Sequence, residues 1–117
     1  MTQHDPLGPA AYLGEVLNDL AKVIDARVGE DPSTSWTAKL LAGGPALAAK
    51  KLGEEGVEAA LAVASQGDAE VAKEAGDVLY HLLVALRARG VPLDVVAKAL
   101  ADRQGVSGIV EKAGRAS

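Results

Sequence analysis

The chain has no cysteine and no phenylalanine, and only one tryptophan (Trp36) and two tyrosines (Tyr12, Tyr80) in 117 residues. Without cysteine, disulfides and thiolate-bound zinc are excluded. Without phenylalanine, Leu, Val and above all Ala must fill the interior, and alanine-rich helix faces can approach closely. No apolar run nears the ~20 residues that a membrane-spanning helix needs. The opening stretch, MTQHDPLGPAAYLG, lacks the basic start and apolar run of a signal peptide, so the expected location is the cytoplasm. Cations are outnumbered: 12 Lys and Arg against 16 Asp and Glu give a net charge of −4. Nucleic-acid binding rests on clustered Lys and Arg, so neither nucleic acid nor a membrane is an expected partner. An acidic protein that handles a polyphosphate must bring in a cation to bridge the like charges. Nothing alternates with period two over a useful length, which argues against a sheet.

What is present reads as helix. Hydrophobic residues make up 49 % and charged residues 24 %, the balance of an ordinary globular protein, and the length suits one domain. Residues 1–9 hold two prolines and a glycine and read as a flexible arm. From Ala10 to Val28, Leu13, Val16, Leu17, Leu20 and Ile24 recur at spacings of three and four. GEDPS (Gly29–Ser33) is a turn, and Thr34 or Ser35 can cap a short helix through Leu41, ended by Gly43 and Gly44. Pro45 suits the start of a long helix to Ser65. Gln66-Gly67 breaks it, and Asp68 is the expected cap of a fourth helix to Arg89. On that helix Val71, Ala75, Val78, Leu79, Leu82 and Leu86 form one apolar stripe. Gly90 closes it, and Val91-Pro92 starts a last helix to Arg103. The expectation is an all-α, antiparallel four- to five-helix bundle over residues 10–108, with a flexible tail at 109–117.

Two acidic clusters stand out on neighbouring helices. Glu54, Glu55 and Glu58 fall in a wedge roughly 100° wide on the third helix. Glu74 and Asp77 lie about 60° apart on the fourth, with His81 one turn beyond. In a hairpin turning at Gln66-Gly67, both clusters lie roughly 11–13 Å from the turn, so their heights match. Carboxylates facing one another repel unless a divalent cation sits between them, and all-oxygen ligation favours Mg²⁺ or Mn²⁺. Against this stands the ordinary use of Glu and Asp, which is to solvate the outer face of a helix. The third helix weakens that reading, because Val57, Ala60, Leu61 and Ala64 flank its acidic wedge on one side and Leu52, Ala59 and Val63 occupy the far side. That much apolar surface is expected to be covered on most of its circumference, in part by a second copy of the chain.

Other chemistries lack their residues. GGPALAAKK does not have the spacing of a phosphate-binding loop, and neither acidic motif carries His in the Glu-x-x-His place of a di-iron bundle. With two histidines and no cysteine, covalent catalysis is not indicated. Lys39, Lys50, Lys51, Arg27 and Arg103 taken singly are surface charges, and together could bind the phosphate oxygens that a metal leaves uncovered.

These segments resemble a known family. VIDAR (Val23–Arg27), SWTAKLL (Ser35–Leu41), KKLGEEGVEA (Lys50–Ala59), EAGDVLYHLLV (Glu74–Val84) and ALADR (Ala99–Arg103) are similar, in this order, to the phosphoribosyl-ATP pyrophosphatases. Those enzymes belong to the MazG-like all-α nucleotide pyrophosphatases, and the likeness runs from Leu17 to Gly108. It implies hydrolysis of the α–β phosphoanhydride of phosphoribosyl-ATP to phosphoribosyl-AMP and pyrophosphate, the second step of L-histidine biosynthesis. It also implies Mg²⁺ on Glu55, Glu58, Glu74 and Asp77, with Glu54 as general base or outer ligand. Lys39, Lys50 or Lys51, Arg27 and Arg103 would hold phosphates, His81 would support the site or touch substrate, and the chain would be a homodimer. Trp36 stands where the family usually has Tyr, and Gly56 and Gly76 replace ordinary helix residues. Two further readings compete: a general (deoxy)nucleoside triphosphate pyrophosphatase on the same carboxylates, and a helical interaction module whose acidic faces only solvate.

Overall fold

A computed structural model describes residues 8–104. Among them the chain forms five α-helices and no strand: α1 (Pro9–Ala26), α2 (Trp36–Ala42), α3 (Gly44–Ser65), α4 (Asp68–Arg89) and α5 (Leu93–Gln104). Residues 1–7 of the expected arm, the expected tail at 109–117 and residues 105–108 before it lie outside the described residues. Pro9, assigned by the sequence to the arm, instead opens α1, where its missing N–H has no helical partner to lose.

Each boundary has a local cause. Asp31 organises the turn before α2, its side-chain oxygen accepting from the Ser33 N–H and hydroxyl, each at 2.9 Å. Thr34 then donates its hydroxyl to the Asp31 carbonyl, which leaves Ser35 to cap α2 by accepting from the Ala38 N–H at 3.0 Å. The corner between α2 and α3 turns on Gly44 in left-handed backbone (φ 79°), and a Cβ on Gly43 before it would press on the Leu47 side chain. The start of α4 differs from expectation. Gly67, not Asp68, takes the capping position in extended backbone, and Asp68 is the first helical residue. There Asp68 and Glu70 set negative charge against the positive end of the helix dipole, without a capping hydrogen bond. The far end of α4 closes on Gly90 in left-handed backbone (φ 82°). Val91 N–H reaches the Leu86 carbonyl at 2.9 Å and Gly90 N–H the Arg87 carbonyl at 3.2 Å, the two bonds of a Schellman turn.

Packing is dominated by α3 against α4, an antiparallel hairpin turning at Gln66-Gly67. On α3 the buried residues are Ala48 and Ala62, with partly buried Glu55 one heptad from each. On α4 they are Glu74, His81 and Val84. This corrects the apolar stripe expected for α4: Ala75 is exposed, and Val71, Val78, Leu79, Leu82 and Leu86 are only half-buried. The reason is steric. The hairpin closes over the small alanines of α3, which turns the Glu74–His81 face of α4 inward and its larger apolar side chains outward.

The core lies toward the end of the hairpin away from its turn. Ile24 from α1, Leu40 from α2, Ala48 from α3 and Val84 from α4 meet there, with Leu20, Leu41, Leu47, Tyr80 and Leu83 packed around them. The Tyr80 hydroxyl is hydrogen-bonded to that of Thr37, tying α2 to α4, and Arg87 pairs with Asp25 at 2.7 Å, tying α4 to α1. Among the described residues only Ile24, Leu40 and Val84 are large and fully buried, each contributing ~1.5–3 kcal/mol. No residue of α5 is buried. Within one chain α3 is not covered on most of its circumference: Val57 (61 % exposed), Leu61 (57 %) and Val63 (70 %) remain open.

Candidate metal and phosphate site

Midway along the hairpin, Glu55 and Glu58 of α3 meet Glu74 of α4, and one carboxylate oxygen from each lies within 4.8 Å of the others. The i, i+3 spacing puts the first two on one face of α3, and equal distance from the turn brings Glu74 to the same height. Glu74 is only 9 % exposed, while Glu58 faces solvent, so the group is an open-sided groove with a buried floor. Partial burial is the main reason that the Glu55 pKa is raised above the ordinary 4.5. A proton shared with Glu58, the charge of Glu58 and the charge of Asp77 act in the same direction, and His81 opposes them. Asp77 is thus an electrostatic neighbour of Glu55 without joining the three-carboxylate group.

His81 lies buried beside this group. Its Nδ1–H donates to the Asp77 carbonyl at 2.7 Å, because a carbonyl can only accept. That commits Nδ1 to the helix backbone and leaves Nε2 as the ring nitrogen not used in that bond. Tyr80 packs edge-on against the imidazole, with ring centroids 4.8 Å apart.

The donor set suits a hard cation. All the converging atoms are carboxylate oxygens, and the cluster carries more negative charge than its cationic neighbours compensate.

Not every residue singled out in the sequence converges here. Glu54 turns away to pair with Lys51 at 3.3 Å. Lys51 also lies over the Trp36 ring, 5.7 Å from its centroid. Lys50 is exposed on α3, and Lys39 is exposed in the last turn of α2. Arg27, past the end of α1, is paired with Glu30 at 3.3 Å, and Arg103 sits in the last turn of α5. Sequence reasoning missed Lys73, whose ammonium lies 3.6 Å from Glu74. Its pKa is raised by Glu74, then Glu70, then Asp77. The pattern that could have revealed it is local: acids one residue after, three before and four after a lysine on one helix. A cavity of about 250 Å³ also exists, but it lies between α1 and the α4–α5 corner, lined by Lys22, Asp25, Leu83, Arg87 and Leu93, well along α4 from the carboxylates.

Five helices without a strand, and carboxylates converging across the longest hairpin, define an all-α protein built around an acidic centre. Its sequence narrows this further. Residues 17–104 match the family described as phosphoribosyl-ATP pyrophosphohydrolase. The chain is 57 % identical over 104 residues to the phosphoribosyl-ATP pyrophosphatase of Caulobacter vibrioides, covering 89 % of this chain and 96 % of that one. It is 55 % identical over 100 residues to the protein of that name from Ruegeria pomeroyi (86 % and 95 % covered) and 56 % to that of Cereibacter sphaeroides (86 % and 97 %). The chain belongs to the phosphoribosyl-ATP pyrophosphohydrolase family, and its fold is of the MazG-like all-α class.

Proposed function

We propose that the protein hydrolyses the α–β phosphoanhydride of phosphoribosyl-ATP, releasing phosphoribosyl-AMP and pyrophosphate, as the second step of L-histidine biosynthesis. The observation that carries this is the meeting of Glu55, Glu58 and Glu74 within 4.8 Å, inside a chain matched by that family over residues 17–104. Mg²⁺, or Mn²⁺ in its place, would be held by these three residues and Asp77. When bound, the cation supplies charge compensation between carboxylates and phosphates and polarises the bridging phosphate oxygens.

The remaining work falls to the protein. Glu54, at the rim of the groove and tethered by Lys51, is the general base for the attacking water or an outer ligand. His81, buried beside the acidic group with Nδ1 held by the Asp77 backbone carbonyl, would support the site or touch substrate. Lys50, Lys51 and Lys39 meet the phosphate oxygens that the carboxylates cannot approach, and Arg27 and Arg103 are assigned to the same role. Lys73 balances Glu74 until substrate arrives.

The active form is taken to be a homodimer, supported by the open apolar side chains of α3, Val57, Leu61 and Val63, and by the small core of a single chain. Among the described residues no helix is long and apolar enough to cross a membrane. A biosynthetic enzyme drawing on an ATP-derived intermediate is assigned to the cytoplasm. The deciding experiment measures pyrophosphate release from phosphoribosyl-ATP with and without Mg²⁺, beside a panel of ordinary nucleoside triphosphates. Turnover of phosphoribosyl-ATP that requires the metal supports the reading. Equal or better turnover of the common triphosphates, or none of any substrate, overturns it.

A further inference from the structure

Nothing so far accounts for recognition of the base. The chain has three aromatic side chains, and two are already committed. Tyr80 is half-buried, with its hydroxyl bonded to Thr37 and its ring against His81. Tyr12 is half-buried in the first turn of α1. Trp36 alone stands exposed, at 46 %.

Its position is firmly built. Trp36 is the first residue of α2, whose start is held by the Ser35 cap and whose inner side is anchored by buried Ala38 and Leu40. The Thr37–Tyr80 bond fixes the same turn to α4. From α3, the Lys51 ammonium reaches over the indole at 5.7 Å from its centroid and touches Glu54 at 3.3 Å. Lys51 precedes Glu55 by one helical turn, a rise of about 6 Å. The order along the surface is therefore acidic group, cation, flat apolar ring. A nucleotide has the matching order: polyphosphate, then α-phosphate and sugar, then a flat base.

We propose that Trp36 is the platform on which the adenine base of the substrate stacks, with Lys51 neutralising the phosphate between base and carboxylates. The identity of the substrate rests on the pyrophosphohydrolase reading above. The stacking itself requires only an adenine nucleotide. Indole is suited to this because every base presents a π-face, and stacking on an aromatic side chain needs no hydrogen-bond register.

Trp36 is the only tryptophan in the chain, so the emission of the unmodified protein reports on this ring alone. Titration with AMP quenches that emission, while pyrophosphate over the same range leaves it unchanged. No response to AMP, or the same response to both, overturns the platform. With phosphoribosyl-ATP as substrate, Trp36→Ala raises KM roughly 10- to 100-fold with kcat little changed, and Trp36→Phe restores KM. Circular dichroism checks that both variants stay helical. An unchanged KM in Trp36→Ala also overturns the platform. A wild-type protein whose emission responds to AMP alone, yet which releases no pyrophosphate from phosphoribosyl-ATP, sinks the activity reading and supports the platform.

Discussion

Glu55 shows how packing and chemistry meet in a single residue. The heptad spacing that buries Ala48 and Ala62 also draws the carboxylate between them partly out of water. Its pKa is raised, first by that burial and then by Glu58 and Asp77. An acid with a higher pKa in the folded chain than in the unfolded one favours folding when protonated. Its contribution is therefore full below the ordinary value of 4.5 and is lost as pH rises through the folded pKa. In metal-free protein, this group should lower Tm between weakly acidic and neutral pH. Glu55→Gln should flatten that slope and raise the metal-free Tm at neutral pH, as thermal melts in EDTA would measure. Removing a ligand has the opposite emphasis. Glu58→Gln and Asp77→Asn should each cut turnover ~100-fold or more while far-UV circular dichroism stays unchanged. Near-normal activity of either variant in saturating Mg²⁺ would disprove the ligand assignment.

At the scale of elements, α2 is a short helix held by the Ser35 cap, the Thr37–Tyr80 bond and buried Ala38 and Leu40, and it carries both Trp36 and Lys39. Ser35→Ala should cost about 1 kcal/mol through loss of the cap. Tyr80→Phe should cost ~1 kcal/mol by leaving the Thr37 hydroxyl without its partner. Denaturant unfolding of the two variants tests both figures. The boundaries of these elements were largely legible in the sequence, because Ser35, Gly43, Gln66-Gly67 and Gly90 each stop or start a helix for a reason contained in a few residues. The faces were less so. Helix α4 carries two stripes at helical spacing, one of Leu and Val and one of Glu74, Asp77, His81 and Val84. Hydrophobicity alone selects the first as the buried one. The choice falls to the partner helix, whose alanines admit the second, and no window within α4 contains that information. The matching height of Glu55, Glu58 and Glu74 was legible for a different reason: it follows from spacing and distance from one turn, while the facing that lets them meet follows from the alanines of α3. Lys73 and the pairing of Glu54 with Lys51 were not, since side-chain direction settles them.

For the whole molecule, the proposed homodimer would cover the open face of α3. Leu61→Asp should shift sedimentation from dimer toward monomer and lower Tm, and an unchanged dimer would place the interface elsewhere. Mg²⁺ should act on global stability by mass action, adding about 2.7 kcal/mol at a hundredfold excess over its Kd. That gain should vanish in Glu58→Gln, and calorimetry with and without the metal would read it directly.

The four carboxylates proposed as ligands all come from one stretch of chain, Glu55 to Asp77, folded back on itself at Gln66-Gly67. Contacts so near in sequence close with little loss of loop entropy, and low contact order favours rapid folding. The topology therefore lets the reactive centre assemble early, before α1 and α5 find their places. On the proposed ligand assignment, a hairpin that forms ahead of its enclosing helices would let an ion present during synthesis act as a template for folding as well as an aid to hydrolysis.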